Sequence, residues 1–546
     1  MTRTRRVLAA MTALGLAALA AALPAQAATY AQIEGSGSTW SEVIVQQWIS
    51  DVDANGMKVT YNGGGSSQGR KNFAQNVTDF GISEIPYQGV DEQGHVDSAG
   101  DREFAYMPIV AGGTAFTYQV KVGGELVRNL RLSGETIAKI FTGQVTNWND
   151  PAITKDNNGR VLPSLAITPV VRSDGSGTTA QFTTWLDTMY PSIWRPFFGR
   201  TGLTSYFPRK GRTVAAAGSD QVMNTIASAH GNGMIGYVEY SYPLNKKYPV
   251  VKMLNDAGYF VEPTQYNVAV ALTKAKINQQ KGSPLYLTQV LDDVYRSKDP
   301  QAYPLSSYSY LLLPTGRNDQ RMTTAKRQTL ADFMYYSLCE GQSKAGPYGY
   351  SPLPLNLVQA GFDQLAQLGV ADPKVELSNR TVTGCNNPTF VKGDLKRNRL
   401  AEVAPMPAAC DKVGQGPCGT DTGTGQPSTD DTKDPDGGSA GDGPTPGTGT
   451  PGAGSPAGAP PAAGDAGAVD PETGLAADAT VTTALGGTVS AVPTELAANR
   501  INDGRIFGTL AALELLAVVL LPGAVALWWR RRTTSRAAAP LPGGQA

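Results

Sequence analysis

Ile167-Thr168-Pro169-Val170-Val171-Arg172-Ser173-Asp174-Gly175-Ser176-Gly177-Thr178-Thr179 is the stretch that decides the fold. Its opening run, 167–172, is rich in isoleucine and valine and reads as a short buried strand. The glycine and hydroxyl residues that follow read as a turn, and Phe182, Trp185, Leu186 and Met189 then recur at helical spacing. Strand, turn and helix in immediate succession predict an α/β architecture.

The same grammar repeats along the chain. Runs 58–61, 106–110, 115–120 and 268–272 read as strands, and Trp40, Val43, Ile44 and Trp48 recur at helical spacing. Glycine and hydroxyl residues gather just before helices: Gly35-Ser36-Gly37-Ser38-Thr39, Gly63-Gly64-Gly65-Ser66-Ser67 and Asp174 to Thr179. A helix start exposes free backbone N–H groups and a positive dipole end, glycine lets the backbone come close to a ligand, and hydroxyls add donors. Any one of these runs alone reads more readily as a capped turn. Together, with Arg172 beside the third, they predict convergence on one anion.

Enzymatic readings are weaker. Gly65-Ser66-Ser67-Gln68-Gly69 fits the G-x-S-x-G pattern of a hydrolase elbow, and a secreted phosphoesterase using Ser66 is the rival from another class. Such a serine needs a base, and the chain has two histidines, His95 in a polar stretch and His230 in a small-residue turn. No G-x-x-x-x-G-K-[ST] loop occurs. A formal net charge of zero gives no basic field for nucleic acid, so an anion site has to be local. No cofactor or metal is implied. The four cysteines, Cys339, Cys385, Cys410 and Cys418, allow three disulfide pairings, of which Cys339 with Cys385 and Cys410 with Cys418 is favoured. A zinc site is the rival, without a close Cys-x-x-Cys pair to carry it.

The ends of the 546-residue chain read differently from its middle. Residues 1–27 have the form of a signal peptide: Arg3, Arg5 and Arg6, an apolar run, then Ala25-Gln26-Ala27, giving a mature start at Ala28. The Arg5-Arg6 pair also permits twin-arginine export. Residues 414–499 are dominated by Gly, Pro, Ala, Ser, Thr and Asp and predict a disordered tether with a reach on the order of 50 Å. Residues 506–529 are nearly unbroken apolar sequence, long enough for a hydrocarbon core of roughly 30 Å. The tail 530–546 begins with Arg530, Arg531 and Arg532, which predicts a cytoplasmic C-terminus and an exported body on a single-pass anchor.

Several ordered motifs resemble the phosphate-binding proteins of Pst-type ABC importers, members of the periplasmic binding protein superfamily. They are Gly-Ser-Gly-Ser-Thr-Trp at 35–40, Tyr-Asn-Gly-Gly-Gly-Ser-Ser at 61–67, Asp-Phe-Gly-Ile-Ser-Glu at 79–84, Ile-Ala-Lys-Ile-Phe-Thr-Gly at 137–143 with Trp-Asn-Asp-Pro at 148–151, Arg-Ser-Asp-Gly-Ser-Gly-Thr at 172–178 and Gly-Tyr-Val-Glu-Tyr at 236–240. The similarity spans about 33–358. It implies a two-lobed α/β fold with a hinged cleft over 28–413, the first lobe being about 28–110 with 255–413 and the second about 111–254. It further implies that Thr39, Trp40, Ser66, Glu84, Arg172, Asp174, Ser176, Gly177 and Thr178 bind inorganic phosphate, with Asp174 orienting Arg172. The expected role is capture without catalysis by a monomer, followed by delivery to ABC permease subunits. Sulfate or another oxyanion is the alternative ligand. Two features depart from the family: Glu84 stands where aspartate is usual, and no cysteine precedes Cys339 to carry an N-terminal lipid.

Overall fold

In the computed structural model the described residues are 30–90, 94, 96–283, 285–391, 394–419, 481–482 and 488–489. The 1–27 leader, His95, most of the 414–499 tether, the apolar 506–529 stretch and the 530–546 tail lie outside them. Among the described residues no helix is long and apolar enough to cross a membrane. The chain forms two units, Met1–Pro444 and Thr445–Ala546. In the second, Val481–Thr482 pairs antiparallel with Thr488–Val489.

The first unit is built on eight strands: β1 (Ile33–Gly37), β2 (Val59–Asn62), β3 (Phe80–Ser83), β4 (Phe104–Tyr118), β5 (Thr168–Arg172), β6 (Val214–Ala216), β7 (Met234–Glu239) and β8 (Ser306–Pro314). Their order across the sheet is β6-β5-β7-β4-β8-β3-β1-β2. At one end β1 pairs parallel with β2 and β3; at the other β5 pairs parallel with β6 and β7. The long β4 and β8 run antiparallel to each other and join these halves, β8 to β3 and β4 to β7. Helices cover the parallel halves, so the inner strands β1, β3, β5 and β7 are largely buried on both faces, while the edge strands β2 and β6 keep exposed residues such as Thr60 and Val214. Phe116, Phe141, Phe182, Phe207 and Tyr237 pack ring on ring beneath the β5–β7 half. Each buried ring contributes roughly 1.5–3 kcal/mol.

Two expectations change. Runs 106–110 and 115–120 are one strand, β4, because Gly112 and Gly113 pass through the ladder opposite Ser307 and Ser306 rather than breaking it. The run 268–272 lies in a helix, Gln265–Leu272, whose residues are buried except Asn267. An apolar run without a polar face has no period to betray it, and the local signal is Thr264, which caps the helix through Asn267 N at 3.2 Å. At residue 254, where the second lobe is expected to end, Lys252–Leu254 pairs antiparallel with Phe260–Val261.

Residues 409–419 close over the same corner. Lys252 Nζ meets Asp411 at 2.7 Å, Arg131 donates to the Cys410 carbonyl at 2.9 Å, and Asn129 donates to the Cys418 carbonyl. Cys410 is bonded to Cys418 and Cys339 to Cys385. The first unit's described chain therefore continues past 413 to Gly419, held by a crosslink between cysteines eight residues apart. Loop-closure entropy gives such a crosslink about 2–3 kcal/mol. Replacing both Cys410 and Cys418 by serine should lower the denaturant midpoint accordingly; an unchanged midpoint would show that the crosslink contributes nothing to stability.

Candidate functional site

The helix starts gather at the C-terminal ends of parallel strands, where open α/β sheets place ligands. Strand β2 leads to helix α1 (Ser66–Ala74), β5 to α2 (Gly177–Met189) and β6 to α3 (Gly218–Ala227). The Trp40 segment differs slightly from expectation, its helix starting only at Glu42. Backbone bonds hold the loops in place: Ser38 N donates to Ile82 O at 2.9 Å and Gly65 N to Gly37 O at 2.7 Å.

Glu84 follows β3 directly and is 1% exposed. Ser38 Oγ donates to its Oε1, Ser66 Oγ donates to its Oε2 at 2.5 Å, and Ser41 Oγ stands 3.5 Å from Oε1. Burial pushes the Glu84 carboxyl above the usual carboxylate range, against the pull of the Ser38 and Ser66 hydroxyls and of Arg172. The start of α2 faces this carboxyl so closely that a Cβ at Gly177 would lie 1.9 Å from Oε2 and 2.6 Å from Ser66 Oγ.

From the other half, Arg172 is 3% exposed and forks onto Asp174, with Nε to Oδ1 at 2.7 Å and the second nitrogen on Oδ2. Burial alone would raise Asp174, but the Arg172 hydrogen bonds and charge outweigh it and hold the carboxyl below its ordinary range. Arg172 Nη1 reaches Ser219 Oγ at 3.3 Å, and that hydroxyl lies 3.1 Å from Thr39 Oγ1. Ser176 caps α2, its Oγ accepting from Thr179 N at 3.1 Å, which leaves its own proton to donate. Gly177 N and Thr178 N, in the first turn, have no intrahelical acceptor. Thr178 Oγ1 is buried and unpartnered among the described residues.

Thr39, Ser66, Glu84, Arg172, Asp174, Ser176, Gly177 and Thr178 thus lie close together where the two halves of the sheet face each other. Trp40 contributes differently: its indole donates to Thr114 Oγ1 at 3.2 Å and its ring meets Tyr350 edge-on, so the side chain packs in the core. Ser66 sits in the strand-turn-helix context of an elbow, but its hydroxyl donates to a carboxylate, and His230 is exposed beyond the far end of α3. Sequence reasoning missed Ser38 as a partner of Glu84 and Ser219 as the bridge from Arg172 to Thr39. Ser38 was within a quoted run, and Gly218-Ser219 carries the same glycine-hydroxyl signal before a helix. The arrangement is a ring of donors with one full cation and one buried acceptor, suited to an oxyanion that carries a proton.

A sequence profile for the PBP superfamily domain matches residues 22–340. The phosphate-binding protein PstS of Methanocaldococcus jannaschii is 32% identical over 342 residues, covering 61% of this chain and 85% of that protein. PstS of Xylella fastidiosa is 30% identical over 329 residues, covering 60% of this chain and 83% of its own length. The crystal structure of the phosphate-binding protein from Stenotrophomonas maltophilia aligns with a TM-score of 0.44 at 16% identity, covering 60% of this chain and 92% of that one. The chain belongs to the PBP superfamily and, within it, to the family of the PstS phosphate-binding proteins.

Gly177 supplies a direct test of the cleft. Gly177→Ala adds a methyl where Glu84 Oε2 and Ser66 Oγ already stand, and overpacking of this kind costs about 1–3 kcal/mol. Phosphate affinity should fall roughly ten- to hundredfold, while the unliganded melting temperature stays near wild type. Unchanged affinity would mean that α2 does not approach Glu84 in the bound state.

Proposed function

We propose that this protein captures inorganic phosphate by closing its two halves on the anion and delivers it to an ABC importer, catalysing nothing. The observation that carries the reading is Glu84: a buried carboxylate fed by serine hydroxyls and faced by a helix N-terminus and Arg172. Donors alone would accept any oxyanion. An acceptor among them selects for the proton that hydrogen phosphate carries and sulfate lacks. Sulfate would set bare oxygens against the carboxylate, a repulsion on the order of several kcal/mol in a weakly screened cleft. The finer reading is an exported monomer, with the 414–499 tether carrying the body above the membrane and 506–529 anchoring it; sequence composition alone supports that part.

Arg172 is the one full charge offered to the anion, and charge-assisted hydrogen bonds contribute about twice what neutral ones do. Arg172→Ala should therefore weaken phosphate binding more than any single hydroxyl replacement. Ser176→Ala should cost about 1–2 kcal/mol. Titration of both variants checks the order, and equal affinities would mean that Arg172 does not reach the ligand.

Selectivity should follow the charge on Glu84. Burial raises its pKa, so acidification protonates the carboxyl sooner than an exposed one and turns it into a neutral donor. In wild type the preference for phosphate over sulfate should be widest in alkaline buffer and narrow as the pH falls, starting above the ordinary glutamate value of about 4.3. Glu84→Gln should show the narrow preference throughout, mainly because sulfate binds better. Competition binding across that range decides it. A wide preference in Glu84→Gln would remove Glu84 as the discriminating group, and turnover of a phosphate ester lost on replacing Ser66 would favour the phosphoesterase instead.

A further inference from the structure

The carboxyl of Glu84 belongs to the first half of the sheet, yet its backbone carbonyl is held from two directions. Gln289 Nε2 donates to that carbonyl at 2.9 Å and Gln181 Nε2 at 2.7 Å. The two amides are not equivalent. Gln289 also donates to Tyr308 O at 3.0 Å and accepts from Tyr308 N at 3.2 Å, so it is fastened to β8 whatever the cleft does. Gln181 lies in α2, four residues after Gly177 and on the same face of the helix, and is 6% exposed. Its amide can reach Glu84 only when the N-terminus of α2 has also reached the site.

Other bonds cross the cleft. Ser67 N donates to Gly175 O at 3.0 Å, Thr39 Oγ1 meets Ser219 Oγ at 3.1 Å, and Tyr242 OH donates to Thr39 O. These join the rims of the loops. The Gln181 bond differs because it ends on the backbone of the residue whose carboxyl reads the ligand's proton, and it leaves from the helix whose first turn offers donors to the same ligand.

We infer that Gln181 is a positioning residue: a latch that forms on closure, fixes the backbone of Glu84 and slows release of the bound anion. This rests on the anion-capture reading above. The latch acts through Glu84 and touches no ligand itself. As a bond between the two halves of the sheet it would form on closure, and so would stabilise the liganded protein while leaving an open one unaffected. Its loss should appear in dissociation, since closure follows encounter.

The test is stopped-flow binding and thermal melting of the whole chain with inorganic phosphate, in wild type, Gln181→Met and Gln181→Glu. Met keeps the length of the side chain and loses the donor at every pH; Glu loses it only while ionised, so the measurements are made in alkaline buffer. The expected result is a dissociation rate raised roughly tenfold, an unchanged association rate, an unchanged ligand-free melting temperature and a smaller rise on adding phosphate. Gln289→Met should do the opposite, lowering the ligand-free melting temperature. Wild-type release rates in both Gln181 variants, or a lowered ligand-free melting temperature matching that of Gln289→Met, would overturn the latch. Failure of wild type itself to bind phosphate would instead overturn the function on which the latch rests.

Discussion

A carboxylate can be taken out of water only where hydrogen-bond donors replace the water it loses, and much of this site is arranged around that requirement at Glu84. Its donors come from separate stretches of chain, Ser38 after β1 and Ser66 at the start of α1. Each must therefore be placed within tenths of an ångström by backbone pairing. Strand β1 lies parallel between β2 and β3. Gly37, at φ 140°, lets the chain pass the Ile82 carbonyl where a Cβ would stand 2.1 Å from it. Another residue there would move Ser38, and the buried carboxyl would lose a donor.

The site is divided between the halves of the sheet by chemistry as well as by position. The acceptor and its hydroxyls lie in the β1–β3 half; the cation, its orienting carboxylate and the N-terminus of α2 lie in the β5–β7 half. Neither half alone offers a complete shell to an anion, so the proposed capture would collect its binding energy as the halves close. Strands β4 and β8 are the elements that both halves share, and their ladder shifts register at Ser309 and Tyr310. Ser309 Oγ lies 2.9 Å from Ser41 Oγ, one residue from the Trp40 packing and beside Glu84, so the crossing and the site are in contact.

Where local chemistry dictated local structure, the sequence was legible. The 167–189 stretch reads as strand, turn and helix because its apolar runs differ in period and because Ser176 is a good cap; the same signs marked the turns at 63–67 and 35–39. Illegibility began where burial was complete. Gln265–Leu272 looked like a strand because a helix buried all round has no polar face to set its period. Side-chain partners over long separations were also hidden: Ser219 meets Thr39 across 180 positions, and Gln181 meets Glu84 across 97. The resemblance brought Glu84 to the site, but not Ser38 as a donor to it.

The central claim is that one buried acceptor makes a donor-lined cleft prefer a protonated oxyanion. Calorimetric titration of the wild-type body, residues 28–419, with phosphate and with sulfate in alkaline buffer tests it most directly, because a carboxyl whose pKa burial raises is ionised most fully there. The account predicts saturable binding of one phosphate per chain, with sulfate giving no comparable heat and not displacing it. Sulfate binding as tightly as phosphate would contradict the account, whatever the fold.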